Sequence, residues 1–421
     1  MLRVLRGLAL AVLAGVVLAI PIRWCLDPPA GGRADTAPDP RLIASLRHLD
    51  AAVASGAADD MQQWFPEGFV FTHALVGLSW ARVAQLDVAP DLAATARTRA
   101  RQSADALASE TGVGTFPEQQ RPPHGVFHAG WSAYLDGQIL LATPPSGWRA
   151  TEVRAFRARC DSIAAAVDAP ATPFPTSYPG LAWPADATVA VAALRLHDRL
   201  LGERYNDVVG RWVADVRARL DDAEGLLAHA ADADTGAPRG GVRGESLALM
   251  LRFLPEIDSS LAAEQYAGFR RRFVDTRLGL PVVLATPRGS RAVPDVDSGP
   301  VPLGVGLPAT VVGIGAARAN GDAALADALD RTAEAAGLPV TWTGRRRYGL
   351  GLVPVGDAFL VWSRLTEAAP PRDGMPSPVR PVAALVGGLL IVLAAGSAWF
   401  ATGLPFRRRR RRDLRTAAPA P

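Results

Sequence analysis

The sequence predicts an all-α fold, an (α/α)6 toroid of about twelve helices flanked by two transmembrane helices. Three observations carry that prediction. Apolar residues recur at helical spacing through most of the chain, the connections between helical segments alternate between short and long, and an apolar stretch stands near arginines at each end.

At the N-terminus, Leu8 to Ile20 is apolar behind Arg3 and Arg6. Pro21, Ile22, Arg23 and Trp24 follow it instead of a small-residue cleavage site, so residues 1–25 read as a transmembrane anchor rather than a removed signal peptide. Residues 26–40 are rich in Pro, Gly and Asp and read as a linker.

The main domain is expected over 41–368. Helical periodicity and Gly/Pro punctuation mark segments at roughly 40–55, 66–86, 90–110, 126–142, 150–167, 183–201, 203–221, 243–253, 258–275, 303–319, 322–336 and 352–366. Connections after the even-numbered segments are short, and those after the odd-numbered ones are long. That alternation describes six antiparallel hairpins with every long loop on one face. The segments share no repeat length or self-similarity, which favours a closed ring over a linear array of helical pairs. The even-numbered segments are rich in small apolar residues, as in Ala187 to Leu194 and Gly304 to Gly315, and so belong in an inner ring. Their N-termini, with unpaired N–H groups, then point into the long-loop face and make it the expected ligand site.

Residues 369–381 form a second linker, and 382–406 is apolar for long enough to cross a bilayer of roughly 30 Å. The tail 407–421 opens with six consecutive arginines, Arg407 to Arg412. By the positive-inside rule both termini are cytoplasmic, the main domain is extracytoplasmic, and the lipid bilayer is a partner. The basic charge is confined to these ends, and the stretch between them is net acidic, so no nucleic-acid partner is expected.

Every basic residue apart from histidine is arginine. The absence of lysine excludes Schiff-base catalysis, a P-loop and Ser–Lys nucleophiles. Two cysteines, Cys25 and Cys160, make neither a disulfide framework nor a structural zinc site. There is no nucleophile elbow or dinucleotide fingerprint, and no cofactor is expected.

The remaining candidates lie in long loops or first helical turns. Asp186 opens an inner segment after Trp183 and Pro184, either as an acid stabilising the helix dipole or as a general acid or base. Asp295 and Asp297 stand two apart. In extended chain they share a side and raise each other's pKa, whereas in a turn they are capping residues. Glu118 can pair across the mouth with one of these aspartates. His124 and His128 are four apart at a helix entry but lack the intervening acid of a zinc protease, so no metal site is expected and His128 is a hydrogen-bonding candidate. Tyr178, Trp183, Trp342 and Tyr348 would set aromatic rings around the same mouth, suited to a sugar or to a small apolar ligand.

The run Tyr178-Pro-Gly-Leu-Ala-Trp-Pro-Ala-Asp186 resembles the Trp-Pro-x-Asp helix start of bacterial toroid proteins related to linalool dehydratase/isomerase. Asp295-Val-Asp-Ser-Gly-Pro-Val301 is similar to a second motif of that group. The resemblance implies the toroid, shared with many six-hairpin glycosidases, over roughly residues 60–365. The linalool enzyme also places cysteines near the first motif, and this chain has none there. Three functions follow as expectations: a protein acting on or binding cell-envelope carbohydrate through carboxylates at the long-loop face, a non-catalytic binding scaffold, and a hydro-lyase or isomerase on a small apolar alcohol.

Overall fold

The computed structural model describes residues 37–169, 171–295 and 298–372, together with 20, 22–24, 26 and 29. In chain order its helices are α1 (Pro40–Ala54), the short α2 (Ala57–Trp64), α3 (Gly68–Val83), α4 (Pro90–Leu107), the single-turn α5 (Glu110–Gly114), α6 (Gly125–Leu141), α7 (Ala150–Val167), α8 (Pro184–Leu201), α9 (Asn206–Arg217), α10 (Gly244–Ile257), α11 (Ser259–Arg272), α12 (Leu307–Ala319), α13 (Ala323–Ala336) and α14 (Pro354–Leu365). Setting aside α2 and α5, these match the twelve segments expected from periodicity.

Six of them close a ring. α3 packs on α6, α6 on α8, α8 on α10, α10 on α12, α12 on α14, and α14 returns to α3. The sequence shows why these are the inner helices. In α8 every residue from Pro184 to Leu194 is buried, and in α6 every residue from Gly125 to Leu135. Helices apolar on all sides bury all sides. Close approach needs small residues, and a Cβ added at Gly130 of α6 would lie 3.0 Å from the Ala190 nitrogen of α8. The outer helices are amphipathic instead. α9 buries Val209, Trp212, Val213 and Val216, one stripe at helical spacing. Side-chain caps start several outer helices, with Asp258 accepting from the Leu261 N–H at 2.7 Å for α11 and Asp322 from the Leu325 N–H at 3.1 Å for α13.

Phe71 of α3, Trp131 of α6, Phe253 of α10 and Trp362 of α14 meet in the lumen. α6 and α10 are separated in the ring by α8, so the 5.8 Å Trp131–Phe253 contact runs across the centre. This aromatic layer divides the ring into a long-loop end and a short-loop end. Three of the long connections, expected as plain loops, fold into two-stranded antiparallel hairpins. These are β1 (Ala230–Ala231) with β2 (Pro238–Arg239), β3 (Val274–Arg277) with β4 (Leu280–Val283), and β5 (Val340–Trp342) with β6 (Arg345–Arg347).

The two-pass membrane placement is corrected. Among the described residues no helix is long and apolar enough to cross a membrane. Residues 382–406 and most of 1–25 lie outside the described residues. The described part of the first stretch is packed on protein: Trp24 is buried against Ala335 of α13, and its indole N–H donates to the Ala328 carbonyl at 3.3 Å. The expectations of cytoplasmic termini, an extracytoplasmic main domain and a bilayer partner are withdrawn with the spans.

Candidate functional site

The long-loop face gathers the starts of α3, α6 and α8, and a tight turn before α8 organises it. Gly180, at φ +73°, lets the chain reverse so that the Leu181 N–H bonds back to the Tyr178 carbonyl at 2.9 Å and the Ser177 N–H to the Leu181 carbonyl at 3.0 Å. The reversal lays Ser177 and Tyr178 over the first turn of α8. Ser177 Oγ–H donates to Asp186 Oδ2 at 2.5 Å, and the Tyr178 hydroxyl donates to Glu67 Oε1 at 2.7 Å. Glu67 immediately precedes α3. The turn is anchored on α6, where the Val126 N–H bonds to the Thr176 carbonyl at 3.1 Å.

Aromatic faces surround these acids. Phe116 stacks on Tyr178 with centroids 5.4 Å apart, and Trp183 meets Tyr178 edge-on at 6.1 Å. Tyr178 and Trp183 are half-buried, as a wall in contact with a ligand would be. Burial, with the Glu67 and Asp186 carboxylates beside it, holds the Tyr178 hydroxyl well above the ordinary phenol range. It is therefore a donor, and it fixes the orientation of Glu67.

The expected site residues fall into several places. Asp186, Tyr178 and Trp183 come together. Glu118 is exposed on the loop before α6. Asp295 forms an ion pair with Arg243 at the start of α10 and makes a reciprocal turn with Ser298, its N–H reaching Ser298 Oγ at 3.0 Å. Asp297 lies outside the described residues. Trp342 projects from β5, 76% exposed.

Two placements differ from expectation for physical reasons. His128 is only 4% exposed. Its Nε2–H donates to the Leu107 carbonyl at 2.9 Å, and burial lowers its pKa to about 4, so it is a neutral wall residue between α6 and the end of α4. Tyr348 is buried in an ionic cluster, its hydroxyl held by Glu334 Oε2 at 2.9 Å and Arg364 Nη1 at 2.5 Å. It ties the β5–β6 hairpin to α13 and α14 and does not line the mouth.

Sequence reasoning missed Glu67. Its position at the start of an inner helix is the same signal that marked Asp186. Among the described residues no group of three His, Cys, Asp or Glu side chains is placed to hold a metal ion. Cys160 is fully buried in the outer helix α7, where burial raises its thiol pKa above the ordinary range.

The arrangement thus offers two carboxylates, each held by a hydroxyl donor, against stacked aromatic rings at one end of a toroid. No family model matches the chain, and no curated protein matches it. Among solved structures it is similar to a selenomethionine derivative of a GH76 α-mannanase from Bacteroides thetaiotaomicron, with a TM-score of 0.43 and 11% identity, over 76% of this chain and 87% of that one. The toroid described above rests on the helix contacts themselves. Nothing in these comparisons supports membership of the linalool dehydratase/isomerase-like group.

Proposed function

We propose that the long-loop face is a carbohydrate-binding site built on Glu67, Tyr178, Trp183 and Asp186. The observation that carries this reading is the joint placement of Tyr178, one face of it stacked on Phe116 and its hydroxyl fixed on Glu67, next to Asp186. A sugar ring presents an apolar face and a rim of hydroxyls. Aromatic planes with oriented acceptors complement both, and hydrogen bonds to charged acceptors contribute about 1.5–3 kcal/mol each. Asp295, Glu118 and Trp342 remain candidates for contacts farther out on the same face.

A catalytic version of the same site uses the two carboxylates as the acid and the base or nucleophile of glycoside hydrolysis. It is favoured over a hydro-lyase because the cysteine described in the structure, Cys160, is buried in the outer ring. The deciding experiment titrates a panel of soluble oligosaccharides by calorimetry and, in parallel, follows release of reducing ends. Saturable binding that Tyr178→Ala strongly weakens supports the site. Turnover that Asp186→Asn or Glu67→Gln abolishes, with binding retained, supports hydrolysis. No binding across the panel sinks the carbohydrate reading and leaves the scaffold.

A further inference from the structure

The opposite end of the ring holds a cavity. Where the inner helices finish, a space of about 420 Å³ is sunk into the short-loop face, within the size range of small-molecule pockets. Tyr134 and Trp362 line it, and Trp362 belongs to the aromatic layer, so the cavity is separated from the carbohydrate site.

Four arginines face this space: Arg82 from α3, Arg195 and Arg199 from α8, and Arg252 from α10. Their partners differ. Arg252 is matched by Glu256 at 2.7 Å, which also accepts the Tyr134 hydroxyl at 2.8 Å. Arg82 is matched by Glu367 at 3.3 Å. Among the described residues Arg195 has neutral partners only, its Nε donating to the Ile257 carbonyl at 3.2 Å and its Nη1 to Asn206 Oδ1 at 2.5 Å. Arg199 is exposed to the cavity mouth, and no ion pair matches it among the described residues.

Arg195 and Arg199 stand four apart, the spacing that sets two side chains side by side on a helix, where like charges are destabilising. The negative end of the α8 dipole accounts for a cation in the last turn. It does not account for Arg195, which lies nearly two turns before Leu201. Arg195 and Arg199 both border the cavity without a carboxylate partner among the described residues. Guanidinium groups so placed fit a doubly charged oxyanion, which they recognise through paired N–H donors. Leu78, Leu196 and Trp362 supply an apolar wall beside them.

We propose that this cavity binds a small phosphate monoester, its phosphoryl group between Arg195 and Arg199 and its organic part against Leu196 and Trp362. The test is calorimetry on the full chain at constant ionic strength, with inorganic phosphate, phenyl phosphate and benzoate as probes. The expected result is one-to-one saturable binding of phenyl phosphate, tighter than inorganic phosphate and at least about tenfold tighter than benzoate. Arg199→Gln is expected to weaken phenyl phosphate by about tenfold or more without a large fall in the unliganded melting temperature, because Arg199 makes no ion pair among the described residues and its loss relieves the like charge beside Arg195. Arg195→Gln should weaken it similarly. The proposal is overturned if neither phosphate binds saturably, if benzoate binds as well as phenyl phosphate, or if Arg199→Gln binds like the parent.

Discussion

The Tyr178 hydroxyl donates to the Glu67 carboxylate at 2.7 Å across a sequence separation of 111 residues, joining the turn before α8 to the start of α3. α3 and α8 both pack on α6, so the bond links two helices that are not neighbours in the ring. Removing the hydroxyl and removing the ring therefore have different consequences. Tyr178→Phe keeps the stack on Phe116 and removes this hydrogen bond to Glu67, and oligosaccharide affinity should fall by a few-fold to about tenfold. Tyr178→Ala also removes the ring, and affinity should fall further, by roughly another tenfold or more. Equal losses in both variants, measured by calorimetry, would mean that the ring contributes nothing.

Gly125 opens α6 at φ +79°, and a Cβ there would lie 2.2 Å from the Ser177 carbonyl oxygen. Gly125→Ala must strain the backbone and push away the turn that carries Ser177 and Tyr178. Urea denaturation should show a loss of about 2–4 kcal/mol, with weakened ligand binding at temperatures where the variant is folded. Gly56→Ala is the control. It has φ +89° with nothing within 4 Å, and should cost only about 1–2 kcal/mol and leave binding intact.

Asp357, in the first turn of α14, accepts the Tyr348 N–H at 3.1 Å. Burial raises its pKa from 3.8 to about 7. Because the folded-state value is the higher one, the stability this group contributes is fully present below pH 3.8 and is lost as pH rises through about 7. Asp357→Asn keeps an acceptor for Tyr348 and removes the titration. The variant should gain on the parent by about 1.4 kcal/mol per pH unit across that window, approaching about 4 kcal/mol. Stability curves at pH 4, 5.5 and 7.5 measure this, and a difference that does not change with pH refutes it.

Arg364 lies at the centre of the buried cluster, its Nε donating to Asp330 Oδ1 at 2.6 Å and its Nη2 to Glu334 Oε2 at 2.9 Å. Arg364→Met leaves two buried carboxylates short of a partner and should cost about 3–5 kcal/mol. Arg364→Met with Asp330→Leu should recover part of that loss, because an apolar pair is better buried than a lone charge. Thermal melts of the single and double variants decide it, and a double variant no more stable than the single one counts against the explanation.

Much of the toroid was legible because helix periodicity, capping and loop length are written along the chain at short range. The burial of α6 and α8 on all sides follows from runs such as Ala187 to Leu194, and the stripe Val209, Trp212, Val213 and Val216 marks an outer helix before any packing is known. Long loops after the outer helices put Asp186 and Tyr178 on one face by counting alone. The apolar stretches at the two ends carried less. Hydropathy alone did not foresee that Trp24 would be buried against α13.

What the sequence by itself determined was which segments are helical, which of them face inward, and which end of the ring collects the long loops. Only the tertiary structure decided which side chains meet. It set Glu67, rather than Glu118, on Tyr178, placed His128 in the wall against Leu107, and drew Tyr348 into the Arg364 cluster. It also brought Arg195 and Arg199 to a cavity at the far end. The reason is geometric. A helix fixes the face a residue occupies from its neighbours three and four positions away, but a pair such as Glu67 and Tyr178 exists only once α3 and α8 have packed on α6 and brought two distant helix starts within reach.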